Sequence, residues 1–387
     1  MREYELLQKR LGSGWNTWNT RSVLSHVLLP EGLAINLGIK EYAGGYHLRE
    51  ALIGRFGKDE EQIHPGPRTY DGSYTELKLA WHGLEVLVQS ALDDGDLLLL
   101  VTPLRSQVKP AALIVEIGML WNRPGVVERQ DQQLQAHLPG GEVRVFASGP
   151  TVEDPVVSAL GPYLALSLAG PAGVCTGHAR SAEEIQSFLA RRKTDWELSI
   201  RQRYGELADT YSATQTCLAW DTIYEPLKQR VISTVSRLWN IYWGGYVIFD
   251  WDTYFAGLMA GVDNHDLAYA NAVEITRAKT RSGFIPNFEG GTGKSEDRSQ
   301  PPVGSMVVSK LYQRYGETWL VQEVFDDLLE WNRWWPDHRR AAGPHGKGLL
   351  CWGSDPFQPL FGARWETDGV NDRLGAALES GLDNSPM

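Results

Sequence analysis

Short hydrophobic runs follow one another through the first half of the chain, with turn-forming residues between them. The runs are rich in Val, Leu, Ile and aromatic residues, and Gly, Pro or Asp separates most of them. Repeated short strands without alternating helices are typical of an antiparallel β-sandwich. We therefore predict an N-terminal antiparallel β-sandwich domain over residues 1–175. The predicted strands are residues 24–29, 33–39, 74–81, 84–91, 97–101, 112–120, 143–147 and 163–168.

The periodicity changes to that of a helix near residue 181. Ser181 followed by acidic residues, including Glu184, is typical of a capped helix start. Ile185 and Leu189 then continue one apolar helix face through a charged segment. We interpret residues 176–208 as a linker helix that joins two domains.

Helical patterns dominate from about residue 209 onward. Residues 264–280 and 303–315 predict helices, and the second ends at Gly316 as a glycine-capped helix would. The spacing of Leu320, Val324, Leu328, Trp331 and Trp335 predicts one apolar helix face.

Long loops rich in Gly, Pro, Asn, Asp and Trp separate the predicted helices. They are residues 281–302, 341–366 and 379–387. Loops of this length are commonly functional.

Charge and composition narrow the range of ligands. The 387 residues exceed what one ordinary core supports, which favours two domains. The net charge is −11 and no long basic block occurs, which argues against nucleic acid as the main partner. Fifteen tryptophans are present, eleven of them from Trp196 onward. Because an indole ring presents a flat apolar face to a sugar, this points to the second half and to a small carbohydrate ligand.

Cysteine usage and hydropathy suggest a location. Cys175, Cys217 and Cys351 are few and far apart, which favours free thiols over a disulfide framework or a metal site. No apolar run reaches the roughly 18 residues of a membrane span, and the first residues lack a signal-peptide pattern. We expect a cytoplasmic protein without membrane contact, metal or cofactor. The oligomeric state stays open.

Four loop segments of the second half together resemble a known signature. They are residues 244–254 (Gly-Gly…Trp-Asp-Thr-Tyr), 283–287 (Gly-Phe-Ile-Pro-Asn), 298–302 (Arg-Ser-Gln-Pro-Pro) and 379–386 (Glu-Ser-Gly-Leu-Asp-Asn-Ser-Pro). In this order they resemble segments of trehalases and of glycoside hydrolase family 63, whose bacterial members are α-glucosidase-like. The Asn-Ser-Pro ending favours family 63, because trehalases usually have an aromatic residue after that Asp. Residues 14–21 also look like the start of bacterial members.

The resemblance implies a fold of a β-sandwich followed by an (α/α)6 barrel. Only about half of the helices of such a barrel can be found in the sequence. We therefore read residues 209–387 as the first part of a catalytic barrel, in a multidomain β plus α protein that we expect to be truncated at its C-terminus.

The resemblance also implies an inverting glycoside hydrolase with two carboxyl groups. One donates a proton to the leaving oxygen, and the other activates water from the opposite side. Asp383 matches the general acid of the family, although Asp-Asn-Ser-Pro alone would equally suit a turn. The family's general base is a Glu on a later loop, and no Glu of this chain stands in a matching context. We name no base and expect the chain alone to be inactive.

Substrate contacts are predicted around these motifs. Asp252 would accept hydrogen bonds from sugar hydroxyls beside the apolar wall of Trp251, or would instead cap the helix 253–260. Arg298 and Gln300 carry donors and acceptors suited to hydroxyl groups.

The other candidates each have a structural alternative. Asn287 would contact substrate or fix its own loop. Trp352 and Trp243 would stack on a sugar or pack in the core. Glu379 would be a structural group, a substrate contact, or a neighbour that raises the pKa of Asp383.

Three functions remain open from the sequence. The first is hydrolysis of a small α-linked glucoside, or of a mannosyl or glucosyl conjugate of a small acid, with inversion. The second is a trehalase-like hydrolysis of an α,α-disaccharide. The third is carbohydrate binding without hydrolysis.

Overall fold

The computed structural model describes residues 2–55, 60–105, 109–154, 158–240, 245–341, 348–355 and 372–383. The chain divides into two compact units. One comprises Lys9–Arg230, and the other comprises Met1–Gln8 with Val231–Met387. Antiparallel sheets dominate the first unit and helices dominate the second. The predicted class, multidomain β plus α with the β-rich part first, is confirmed in this coarse form.

Two antiparallel sheets make up the first unit, which we call the sandwich unit. The first sheet contains β1 (Gly14–Asn16), β2 (Ser25–Leu29), β3 (Leu33–Glu41), β4 (Tyr46–Leu48), β9 (Ala111–Met119) and β13 (Tyr163–Ser167). Its strand order is β1-β2-β3-β9-β13, and β4 also pairs with β3. The second sheet contains β5 (Gln62–Arg68), β6 (Tyr74–Trp81), β7 (Leu84–Asp93), β8 (Asp96–Pro103), β10 (Val126–Gln130), β11 (Gln133–Leu138), β12 (Gly141–Ser148) and β14 (Ala172–Thr176). Its strand order is β10-β11-β12-β14-β8-β7-β6-β5.

The two sheets share one apolar core. Leu33 and Ile35 of the first sheet pack in the same cluster as Val86 and Val88 of the second. Alternate side chains of β7 point inward, as a half-buried strand requires. The turn between β7 and β8 holds Asp94 at a φ of 48° and Gly95 at 90°, which matches the left-handed conformation of a two-residue hairpin loop.

Two helices belong to the sandwich unit. Helix α2 (Ala182–Tyr204) begins at Ser181 with the predicted capping box, and its Ile185 packs against the second sheet. Helix α3 (Ala208–Asp221) follows the short 3-10 turn Gly205–Leu207. Trp220 at the end of α3 enters the sandwich core, and its indole donates to the Gly66 carbonyl at 2.7 Å.

The boundaries of the compact units differ from those of the predicted domains. The sandwich unit extends to Arg230, whereas the predicted sandwich ends at residue 175 and the predicted barrel begins at residue 209. Residues of the predicted linker and of the predicted barrel start lie on the sandwich, because Ile185 and Trp220 bury their side chains there. Helix α1 (Glu3–Leu11) begins in the other unit. Its Tyr4 hydroxyl donates to Glu274 at 2.5 Å, and Arg277 covers the Tyr4 ring.

We call the second unit the helical unit. Helices α4 to α7 pack against one another. A three-stranded sheet with the strand order β17-β18-β19 belongs to the same unit. The helices are α4 (Asp250–Ala260), α5 (His265–Arg277), α6 (Gly304–Tyr315), α7 (Thr318–His338) and α8 (Asp372–Ser380). Strand β15 (Thr222–Glu225) precedes the boundary at Arg230, and β16 (Arg230–Ser233) begins at it. The strands after the boundary are β17 (Ser236–Asn240), β18 (Gly245–Phe249) and β19 (Phe288–Gly290).

Local sequence signals explain these helices. Asn264 caps α5 by accepting the Leu267 amide, and Gly316 ends α6 in the left-handed conformation. The predicted apolar face of α7 is confirmed, since the five residues predicted for it are all buried. The (α/α)6 barrel stays a prediction. No helix within the described ranges is long and apolar enough to cross a membrane.

The antiparallel arrangement of the helices places the loops that resemble family 63 segments at one end of the helical unit. Only residues 261–264 separate α4 from α5, and only residues 316–317 separate α6 from α7. Such short connections make each pair antiparallel neighbours. The start of α4, the end of α5, the start of α6 and the end of α7 therefore lie at one end of the helices. The loops that resemble family 63 segments extend from this end.

Candidate functional site

Trp251 and Asp252 lie in the first turn of α4. The extended Phe249 at the end of β18 leads into the helix, so Asp252 is inside the first turn and does not cap it. A negative charge in this position interacts favourably with the helix dipole. Burial nevertheless raises the pKa of Asp252 above its usual value, and the charge of Asp383 raises it further.

Gly381 brings the end of α8 against Trp251. Its φ of +70° continues the chain in a left-handed conformation, as is common just after a helix. A Cβ atom at this position would lie 2.6 Å from Cζ2 of the Trp251 indole. Only glycine fits such an approach, and it places the segment that carries Asp383 beside the Trp251 wall.

Three charged groups influence one another at this point. Partial burial raises the pKa of the Asp383 carboxyl, and the Arg298 guanidinium opposes this shift. Asp383 in turn raises the pKa of Asp252. The structure thus brings Asp252, Arg298 and Asp383 together, although their motifs are far apart in the sequence.

Arg298 and Gln300 are buried yet keep unused polar atoms. Nη1 of Arg298 donates to Asp297 at 2.7 Å. Within the described ranges, Nε of Arg298 and Oε1 of Gln300 are buried without a hydrogen-bond partner. Since buried polar atoms are nearly always satisfied, these two suit the hydroxyl groups of a ligand or water.

Asp250 is a buried carboxyl that the motif pattern does not single out. Its amide donates to the Asn287 carbonyl at 3.1 Å, and its carboxyl accepts the Gln300 amide. Complete burial raises the pKa of Asp250 well above the usual value, because burial disfavours the charged form. It is the first residue of α4 and links the start of that helix to the loop of Gln300. The only sequence signal was an Asp two positions before Asp252.

Glu379 is fully buried and all its lone pairs are engaged by the protein. Arg339 donates to it from Nε at 2.6 Å and from Nη2 at 2.9 Å. The amides of Ser299 and Gly353 donate at 3.0 Å and 2.7 Å. This arrangement favours the structural alternative for Glu379 over a substrate contact, since no oxygen is left for a sugar.

Arg339 extends the same network to the Trp352 loop. It donates to Asp355 at 2.8 Å, and its guanidinium stacks over Trp334 at 4.5 Å. Trp352 is 39% exposed and stands edge-on to Trp335, with ring centroids 5.5 Å apart. Trp352 therefore keeps a free ring surface, whereas Trp335 belongs to the buried face of α7.

Asn287 fixes the loop in which it lies. Its side-chain amide donates to the Leu378 carbonyl at 2.9 Å, and its backbone amide donates to the Arg298 carbonyl at 3.0 Å. The side chain therefore joins the Arg298 loop to the end of α8. This contact favours the structural alternative for Asn287.

The remaining predicted candidate, Trp243, lies outside the described residues. In the part of the chain that is described, no group of three or more His, Cys, Asp or Glu residues could hold a metal ion. The site is instead a set of carboxyls, an arginine and an amide beside indole rings. Such a set can exchange protons and bind hydroxyl groups.

Comparison with known proteins points in the same direction. Residues 245–387 match the family described as mannosylglycerate hydrolase MGH1-like glycoside hydrolase domain. The second half of the chain is similar to a glycoside hydrolase. This confirms the predicted class, and the matched residues include every described candidate of the site. The assignment to family 63 itself and the α-glucosidase type stay predictions.

The other comparisons are distant. No curated protein matches the sequence. A bacterial glucoamylase in complex with acarbose is similar over 86% of this chain and 58% of its own, at 11% identity and a TM-score of 0.40. A glycosyl hydrolase of family GH92 is similar over 85% and 56%, at 12% identity and a TM-score of 0.32. This chain thus covers less than two thirds of either structure. Similarity at these TM-scores supports no conclusion about the fold or the function of this chain.

Proposed function

We propose that the helical unit binds one sugar residue in this site and that Asp383 is the general acid of an inverting glycoside hydrolase. The observation that carries the proposal is the pairing of two carboxyls of raised pKa, Asp252 and Asp383, beside Trp251. The match of residues 245–387 to a glycoside hydrolase domain supports it.

Asp383 suits proton donation to a glycosidic oxygen. A general acid must hold its proton near the working pH, and burial raises the pKa of this carboxyl in that direction. Arg298 limits the rise and stabilises the carboxylate after the proton has left. Closure of the site over a substrate would remove more water and raise the pKa further.

The neighbouring residues supply recognition. Asp252 accepts hydrogen bonds from hydroxyl groups, Oε1 of Gln300 accepts another, and Nε of Arg298 donates one. Trp251 and the free face of Trp352 stack on the C–H face of a sugar ring. These contacts hold the ring so that its leaving oxygen faces Asp383.

The substrate we propose is a small α-linked glucoside or a glycosyl conjugate of a small acid. Arg298 would attract the carboxylate of such a conjugate, and the matched family is described by a hydrolase of mannosylglycerate. A panel of α-glucosides, α-mannosides, sugar–acid conjugates and α,α-trehalose separates this substrate from the trehalase-like alternative.

The decisive experiment compares the protein with its Asp383→Asn variant. We expect kcat to fall by about 10²–10⁴, with sugar affinity largely kept, because the acid acts mainly in the transition state. The wild-type rate should also fall as the pH rises through the raised pKa of Asp383, and the Asn variant should lack this limb. Asp326→Asn, on the exposed side of α7, is the matched control.

Two results would contradict the proposal. One is wild-type turnover by the Asp383→Asn variant. The other concerns the first-formed product of an α-linked substrate, observed by NMR. Inversion yields the β-anomer, so an α-anomer would exclude it.

A further inference from the structure

The sandwich unit contains a cleft of its own, apart from the candidate site of the helical unit. Its volume is about 800 Å³, which is within the range of small-molecule sites. It is lined by the end of the segment 14–21, by β4 and by the turn between β6 and β7. The proposed glycosidase reaction uses none of these residues.

Aromatic rings form one wall of this cleft. The rings of Tyr46 and His82 stack, with centroids 4.0 Å apart and an interplanar angle of 9°. Trp81 meets His82 edge-on at 4.7 Å. His82 lies in the turn before Gly83, with a left-handed φ of 48°. Tyr46 is 48% exposed, so a broad ring surface faces solvent.

Polar side chains also line the cleft. Arg21 pairs with Glu50 at 3.4 Å, and Arg49 pairs with Glu116 at 3.7 Å. Both contacts are longer than a good charge-assisted hydrogen bond, so the groups keep hydrogen-bonding capacity. Glu116 is held in place by the amides of Leu160 and Gly161.

The chemistry of the lining defines the ligand. The lining holds three arginines and four glutamates, so charges of both signs nearly balance and the cleft has little excess charge with which to select an ion. They are Arg21, Arg49, Arg55, Glu50, Glu60, Glu61 and Glu116. Asn36, which also lines the cleft, adds an amide that can both donate and accept. A flat aromatic face beside balanced donors and acceptors suits a molecule with apolar C–H faces and many hydroxyl groups.

We propose that this cleft is a second carbohydrate site that binds an uncharged saccharide. Tyr46 and His82 form its platform, and Asn36, Arg49 and Glu50 bind the hydroxyl groups. The site is independent of the proposed glycosidase function, because all its residues belong to the sandwich unit.

The test separates the two sites in the full chain. An Asp252→Ala/Gln300→Ala background removes the site of the helical unit. Isothermal titration with maltotriose and methyl α-mannoside should still show saturable binding, with a dissociation constant on the order of 1 mM. Adding Tyr46→Ala should weaken it about tenfold or more, since stacking is lost. Tyr312→Ala, a partly exposed tyrosine of the helical unit, should not change it.

Asn36→Ala provides a second variant should Tyr46→Ala disturb folding, which circular dichroism would reveal. It should weaken binding as well. The proposal is overturned when the background variant binds neither sugar, or when Tyr46→Ala and Asn36→Ala both bind as the background does. Displacement of the sugar by inorganic phosphate would overturn the uncharged class of ligand. Loss of binding in the background alone leaves the glycosidase proposal intact.

Discussion

Removal of the Glu379 carboxylate tests the buried network behind the candidate site. Glu379→Ala leaves the guanidinium of Arg339 buried without its main counter-ion and two amides, of Ser299 and Gly353, without acceptors. Breaking a buried ion pair from one side costs about 3–5 kcal/mol. Each unsatisfied amide costs about 1–3 kcal/mol, but these losses overlap with the first.

We therefore expect a loss of about 4 kcal/mol in the unfolding free energy of the helical unit. Glu379→Gln keeps one acceptor oxygen and should lose less, about 2 kcal/mol. Urea unfolding followed by tryptophan fluorescence measures both. With a slope of about 2 kcal/mol per molar urea, the midpoint of the affected transition should fall by roughly 2 M for the Ala variant.

An exposed ion pair of the same unit provides the control. Glu330 pairs with Lys279 on the surface, and a surface pair contributes only about 0–1 kcal/mol. Glu330→Ala should therefore shift the midpoint little. Equal small shifts for Glu330→Ala and Glu379→Ala would refute the reasoning. The double variant Glu379→Ala/Arg339→Met should regain part of the loss, because it removes the orphaned charge.

Three further outcomes follow from the site. Asp250→Asn should be tolerated within about 1 kcal/mol in thermal unfolding because burial favours the neutral form of this carboxyl, whereas Asp250→Ala should lose about 2 kcal/mol. Because folding raises the pKa of Asp250, its contribution to stability is lost as the pH rises above the ordinary value of about 3.9, and Asp250→Asn should remove that dependence. Gly381→Ala should cost about 1–2 kcal/mol and weaken sugar binding in titrations, since its Cβ meets Trp251 in a left-handed conformation; unchanged binding would contradict the contact.

The sequence predicted those elements whose signals are local. The apolar face of α7, the Ser181 capping box and the end of α6 at Gly316 each depend on residues within a few turns of one another. Strand β10 was not predicted, because its sequence Val-Val-Glu-Arg-Gln is largely exposed and shows little hydrophobic alternation. Strand β11 was missed although its sequence Gln-Leu-Gln-Ala-His-Leu alternates polar and apolar residues. Local pattern is the part of structure that a single sequence reveals best.

Contacts between distant residues were beyond the sequence. Nothing in the sequence near Tyr4 indicates that its hydroxyl binds Glu274, because the two residues are 270 positions apart. Glu379 and Asp383 lie on one short segment, yet one is buried and the other lies partly in solvent. Burial of a carboxylate depends on the loops that fold over it, and the spacing of motifs does not encode that.

The contact between Gly381 and the Trp251 ring has a practical consequence for redesign. The same indole that would shape the sugar pocket also supports the backbone that carries Asp383. An engineer who trims this ring to admit a bulkier sugar would at the same time disturb the segment of Asp383, the proposed proton donor. Changes of specificity are therefore better sought at Trp352, whose ring is largely exposed and meets Trp335 edge-on.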